Sequence, residues 1–229
     1  MVIKHSQHNI DFNIPTYLSK IGLKISGGAD SAMLCYILAK YKAEERPDIS
    51  IHPMSVVNIL KPYQLIFSKQ VVKFCENKFN IKFAEHNTCN PAMEGPEIGI
   101  AQRNLLESLY KSNIVDCHAV GITLNPPNEK STAYMFDDHN GFTRDRERDR
   151  DGTLKQTAYI GDTNTRKSFR PFANIDKKGI FELYQHFGLM DTLFPLTKSC
   201  EGYTASWDAP HCGECWWCME RQWGFGRLI

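Results

Sequence analysis

The stretch ISGGADSAM, residues 25–33, ends the apolar run IGLKI and leads into Met33, Leu34, Ile37, Leu38 and Tyr41, which recur at helical spacing. A strand that turns into a helix through two glycines gathers several backbone N–H groups at a helix N-terminus. Those donors, with the positive end of the helix dipole, favour an anion. Gly27 and Gly28 allow close backbone approach and positive φ, Ser26 and Ser31 add hydroxyls, and Ser31 is placed to cap the helix. Asp30 would repel a phosphate unless a cation lay between them, which points to Mg²⁺. The loop has neither the lysine of a Walker loop nor the third glycine of a dinucleotide fingerprint. On spacing alone, a strand–turn–helix corner capped by Asp and Ser accounts for it equally well.

Outward from the loop, strand and helix signals alternate. ISIHPMSVV (49–57) reads as a strand carrying Pro53, and Gln64–Phe79 as a helix. IKFAEH (81–86) reads as a strand, Gln102–Lys111 as a helix, IVDCHAVGI (114–122) as a strand and KKGIFELYQHFG (177–188) as a helix ending at Gly188. This order predicts an α/β fold, a parallel sheet with helices on both faces. Residues 125–168 interrupt it. They are polar and include TRDRERDRDG (143–152), which reads either as a solvated excursion or as a lid or docking arm.

The composition bounds the function. The chain has 229 residues and a net charge of +1, so no global field favours nucleic acid. No apolar run reaches about 18 residues, and the N-terminal MVIKHSQHNIDFNIP has no continuous apolar core. A cytoplasmic protein is expected, and thiols are then expected to be reduced. Of the eight cysteines, Cys35, Cys75, Cys89 and Cys117 stand alone, whereas Cys200, Cys212, Cys215 and Cys218 form Cys-x11-Cys-x2-Cys-x2-Cys. Four thiolates in one short segment suit tetrahedral Zn²⁺ in a closed structural site; an iron–sulfur cluster is the rival. His211 adjoins this set but is surplus to four sulfurs. Trp216, Trp217 and Trp223 are expected to pack the segment onto the domain, with an aromatic platform for a planar substrate as the alternative.

Ser26-Gly27-Gly28-Ala29-Asp30-Ser31 matches the SGGxDS signature of the PP-loop ATP pyrophosphatases. Together with the four cysteines it makes the chain resemble the 7-cyano-7-deazaguanine synthase (QueC) family. Arg103-Asn104 before Leu105-Leu106 resembles that family's Pro-Gly-Arg-Asn segment, and Pro171 to Lys177 resembles its Pro-Leu-x-x-x-x-Lys segment. The resemblance covers most of the chain except about 125–168. It implies an adenine nucleotide alpha hydrolase-like, Rossmann-like domain over 1–195, with the polar insertion, and a zinc-binding segment over 196–229. It implies ATP as co-substrate with Mg²⁺, residues Ser26 to Ser31 gripping the pyrophosphate, and Asp30, Lys177 and Arg103 as catalytic groups. It implies structural Zn²⁺ on Cys200, Cys212, Cys215 and Cys218. The implied substrates are a deazapurine carboxylate and ammonia, with no membrane or nucleic-acid partner and a homodimer left open. In that chemistry ATP adenylates the carboxylate, ammonia displaces AMP to give an amide, and a second ATP activates the amide oxygen, whose loss leaves a nitrile.

Besides the polar excursion after Gly121, which has no clear counterpart in the family, this chain departs from it in two places. NILKPYQ (58–64) stands where the family carries Tyr-Gly-Gln-Arg-His, and Ala101-Gln102 replaces Pro-Gly. Two rivals follow. A tRNA-thiolating PP-loop enzyme would need Cys89 or Cys117 as a catalytic thiol, although both read more simply as small core residues. A zinc-stapled nucleotide-binding module would need no catalytic residue.

Overall fold

The computed structural model describes residues 1–58, 61, 63–89, 96–127, 160–161, 167–202 and 208–228. Strands β1 (Val2–Ile3) and β2 (Ile10–Asp11) form a small antiparallel pair that the sequence reading missed. The main sheet contains β3 (Lys20–Lys24), β4 (Ser50–Ser55), β5 (Asn87–Thr88), β6 (Cys117–Val120), β7 (Ile160–Gly161) and β8 (Lys167–Phe169). Their spatial order is β5-β4-β3-β6-β8-β7, and all pairings are parallel except β7 with β8. The helices are α1 (Ala29–Glu44), α2 (Tyr63–Phe79), α3 (Pro96–Lys111), α4 (Lys177–His186) and α5 (Trp216–Phe225).

From β3 the chain moves outward through β4 to β5, then returns to place β6 on the other side of β3. Such a reversal opens a crevice at the carboxyl ends of the two central strands. The loop 25–28 lies at that end of β3. Helix α1 runs from it through the centre of the molecule, with residues from Ala29 to Tyr41 buried on nearly every side. Its apolar residues therefore encircle the helix instead of forming a stripe. On β4, Ile51 and Met54 point to opposite faces, as alternation requires. Ile51 joins the large core with α1 and α2, whereas Met54 joins a second cluster with Leu106 and Leu109 of α3 and Val115. Helices thus cover both faces, and the α/β expectation holds.

Three expected elements differ. Residues 81–86 lie along β4 without forming a strand; Ala84 N–H donates to the Ile51 carbonyl (2.8 Å). In a parallel ladder the next bond would come from the N–H of residue 53, which is proline and has none. Regular pairing resumes only at Met54 with Asn87. The strand expected over 114–122 shortens to Cys117–Val120, and α3 begins six positions before Gln102. The expected excursion 125–168 ends in β8, a three-residue strand too short to show periodicity. Its charged stretch 143–152, and with it the lid or arm reading, lies outside the described residues.

Candidate functional site

The loop closes on itself through its two serines. Ser31 Oγ donates to the Gly28 carbonyl (3.0 Å), and Ser26 N–H donates to Ser31 Oγ (3.3 Å). Ser31 therefore ties the loop but does not cap α1. The N-cap is Gly28, in extended conformation and without a side-chain cap, so positive φ is confined to Gly27 at +79°. A Cβ at Gly27 would stand 2.6 Å from Phe67 Cβ and 2.9 Å from the Ser68 nitrogen, so only glycine fits this close turn against α2. The first amide to find an intrahelical acceptor is that of Ala32, on Gly28 (3.0 Å). The amides of Ala29, Asp30 and Ser31 are helix-end donors at the crevice.

A cavity of about 730 Å³ opens there. Ser26, Gly28, Ala29, Asp30 and Ser31 line it, and so does Lys177, brought from 147 positions away. Lys177 opens α4 directly after its N-cap Asp176, whose carboxylate accepts from the amides of Lys178 (2.9 Å) and Gly179 (3.1 Å). Lys177 is buried, and its ammonium stands 2.5 Å from Asp30 Oδ2 and 3.4 Å from Glu220 Oε2. Asp30 Oδ1 is buried with no hydrogen-bond partner. One cation thus faces two carboxylates, and one carboxylate oxygen remains to accept from a group inside the cavity.

Arg103 is not brought to this site. It is exposed on α3, while its neighbours Gln102, Leu105 and Leu106 line the cavity. Three residues that do shape the site were not singled out from the sequence. Glu220 of α5 has no exposed surface and lines the cavity. Gly224, one turn further on, leaves the slot through which Lys177 passes; a Cβ there would meet Lys177 Cγ at 2.3 Å. Arg221, 1% exposed, donates to the carbonyls of Phe194, Thr197 and Leu228 and to Ser199 Oγ (2.7–3.4 Å). Burial pushes its guanidinium down to about 10, so it stays charged at neutral pH. It thereby fixes the segment whose Lys198 N–H donates to the Gly27 carbonyl (2.9 Å). The signal for all three was a Glu-Arg pair and a glycine inside the otherwise aromatic WWCMERQWGF.

The four cysteines converge. Their sulfurs all lie within 4.8 Å of one another, and Cys212 and Cys218 are 3.8 Å apart. Four thiolates around one Zn²⁺ at about 2.3 Å stand about 3.8 Å apart, so the donor set fits a single tetrahedral ion. Cys215 is the N-cap of α5, and Cys218 lies in its first turn. A hydrogen bond from Cys218 pushes the Cys215 thiol down to about 4, helped by the Glu201 amide. His211 is not in the set. Its Nε2 accepts from the Ser199 amide (3.3 Å), and burial pushes the imidazole down to about 4, which keeps it a neutral acceptor. Trp216 is buried, Trp217 lines the cavity, and Trp223 lies beneath the Lys178 ammonium (4.8 Å). Packing accounts for the first and third, whereas Trp217 is placed to touch a ligand.

Residues 138–228, less than half of the chain, match the family model described as Queuosine biosynthesis protein QueC. The span takes in Lys177, Glu220 and all four cysteines, as well as part of the excursion that the resemblance had left out, and stops short of the glycine loop. No curated protein matches the chain. Among solved structures, the U34-tRNA thiolase NcsA from Methanococcus maripaludis, with its 4Fe-4S cluster, aligns with a TM-score of 0.47 and 17% identity. The alignment covers 75% of this chain and 57% of that one. A likeness of that order carries no argument about chemistry. Among the described residues, no helix is long and apolar enough to cross a membrane. Over 138–228 the chain is thus similar to the QueC family, and the loop and the four-cysteine cluster stand where the resemblance read from the sequence expected them.

Proposed function

We propose that this protein adenylates a carboxylate at the expense of ATP and passes it to ammonia, forming an amide and then a nitrile, with 7-carboxy-7-deazaguanine as the acceptor. The product, 7-cyano-7-deazaguanine, places the enzyme in queuosine or deazapurine biosynthesis. One observation carries the reading: Lys177 meets Asp30 beside the open amides of α1, inside a cavity at the β3–β6 reversal. Cleavage between the α and β phosphates requires charge neutralisation at the α-phosphate and on the leaving pyrophosphate. The amides of Ala29 to Ser31 and the hydroxyls of Ser26 and Ser31 supply donors, and Lys177 supplies the fixed charge. Arg103 is left out of this set because it is exposed and does not line the cavity.

Asp30 Oδ1 is the oxygen that would hold Mg²⁺, and the ion would supply charge neutralisation for the nucleotide's phosphates. The acceptor carboxylate attacks the α-phosphorus and pyrophosphate leaves. Ammonia then adds to the acyl carbon and AMP leaves with the bond pair. A second ATP repeats the activation on the amide oxygen; loss of AMP and of the nitrogen protons leaves the nitrile. The cysteine site serves structure, holding Zn²⁺. A four-iron cluster would place each thiolate on a different iron and spread the sulfurs further apart than four ligands of one ion.

Thiolation by a catalytic cysteine is not favoured. Cys117 is buried in β6, with its thiol pushed up to about 12 by burial, and neither it nor Cys89 lines the cavity. The test is mass spectrometry of 7-carboxy-7-deazaguanine after incubation with the protein, Mg-ATP and ammonium. A mass matching the amide or nitrile is expected. Unchanged acceptor, with nucleotide bound but not consumed, would leave the non-catalytic ATP-binding module.

A further inference from the structure

Lys177 links the glycine loop to α5, the helix that begins at the cysteine cluster. Lys177 is held between carboxylates from two distant parts of the chain: Asp30 at the start of α1 and Glu220 in α5. Glu220 is buried at the cavity wall, and its Oε2 stands 3.4 Å from the Lys177 ammonium. Its place is set by α5, whose N-cap is Cys215 and whose first turn carries Cys218, two residues before Glu220. Gly224, on the same helix, presses against Lys177 at its stem and backbone. Loading four thiolates onto one ion fixes the first turn of α5, and with it the wall against which Lys177 stands.

We propose that Glu220 is a positioning residue that couples occupancy of the cysteine site to nucleotide binding at the loop. The metal orders α5, Glu220 holds the Lys177 ammonium at the cavity wall, and Lys177 meets the phosphates. Linkage makes the effect reciprocal: if metal tightens nucleotide binding, nucleotide tightens metal binding by the same factor. This inference rests on the proposed nucleotide site, but it assigns a role to a residue that takes part in no bond-making step.

The test measures Zn²⁺ affinity by chelator competition on the full chain, with and without saturating Mg-ATP, and Mg-ATP affinity by titration calorimetry. In the wild type, nucleotide is expected to raise Zn²⁺ affinity by about fivefold or more, the lower range of ordinary coupling. In Glu220→Gln, four-thiolate Zn²⁺ binding is expected to persist while the nucleotide dependence disappears. A dependence retained in Glu220→Gln overturns the role of Glu220. Should that variant not fold, the wild type alone decides: Mg-ATP binding without any change in Zn²⁺ affinity overturns the coupling and leaves the proposed function standing. Failure of the wild type to bind Mg-ATP at all removes both.

Discussion

Replacing Lys177 by Met removes a cation that two carboxylates share. Methionine is one heavy atom shorter but keeps the stem that passes Gly224, so the slot stays filled and the change is chiefly electrostatic. A surface ion pair would contribute about 0–1 kcal/mol. This one is different: the side chains of Lys177 and Glu220 are 6% and 1% exposed. Breaking a buried pair by deleting one partner costs about 3–5 kcal/mol, because a charge stays buried without compensation. Asp30, 20% exposed, recovers part of its hydration, so the lower end, about 3 kcal/mol, is the expected loss. Urea unfolding of the metal-loaded protein reads it as a lower midpoint at unchanged slope. Adding Glu220→Gln should return on the order of 1 kcal/mol or more, since the amide needs no counter-charge. A loss below about 1 kcal/mol, or strict additivity of the two changes within about 0.5 kcal/mol, would refute the claim that Lys177 serves both carboxylates.

Gly224→Ala sets a helix-propensity gain of about 1 kcal/mol against overpacking of about 1–3 kcal/mol. The new Cβ falls on the stem and backbone of Lys177, which cannot swing aside. Lower melting temperature and lost ATP turnover are expected; a more stable, fully active variant would contradict the slot. Chelating the metal, or replacing Cys218 by Ser, should lower the melting temperature and free α5 to exchange its amide hydrogens, because the thiolate set anchors its first turn; hydrogen exchange unchanged across α5 would argue against that anchor. His86 gives a pH effect. Burial holds its imidazole down at about 4, with Ser55 Oγ 2.8 Å from Nε2. The folded state therefore keeps it neutral, while the unfolded chain takes up a proton near about 6.5. Its contribution is full above that pH and is lost as pH falls towards 4. The stability–pH profile of His86→Gln should be flatter over that window, and an unchanged slope would exclude His86 as the cause.

The loop and the cysteine spacing were legible because both are local: a hexapeptide at a strand–helix corner, and four thiols within nineteen positions. Lys177 was legible only through a family resemblance, since nothing near it in sequence refers to Asp30. Glu220 and Gly224 were not legible, because their roles exist only once α5 packs against α4. Arg103 is the converse case: a motif-like neighbourhood pointed to a helix there, but Gln102 lines the cavity and Arg103 does not. The strand expected over 81–86 failed on a partner residue, Pro53, whose missing N–H acts across the ladder and not within the segment that was read. The β3–α1 corner needed none of these long-range conditions.

The most direct test of the account is the identity of the nucleotide product. With 7-carboxy-7-deazaguanine, ammonium and Mg-ATP, the protein is expected to release AMP and pyrophosphate only when the carboxylate is present, and to lose that activity in Lys177→Met. Release of ADP and phosphate, or AMP formation indifferent to the carboxylate, would contradict the assignment of the Ser26–Ser31 loop as the pyrophosphate grip of an adenylating enzyme.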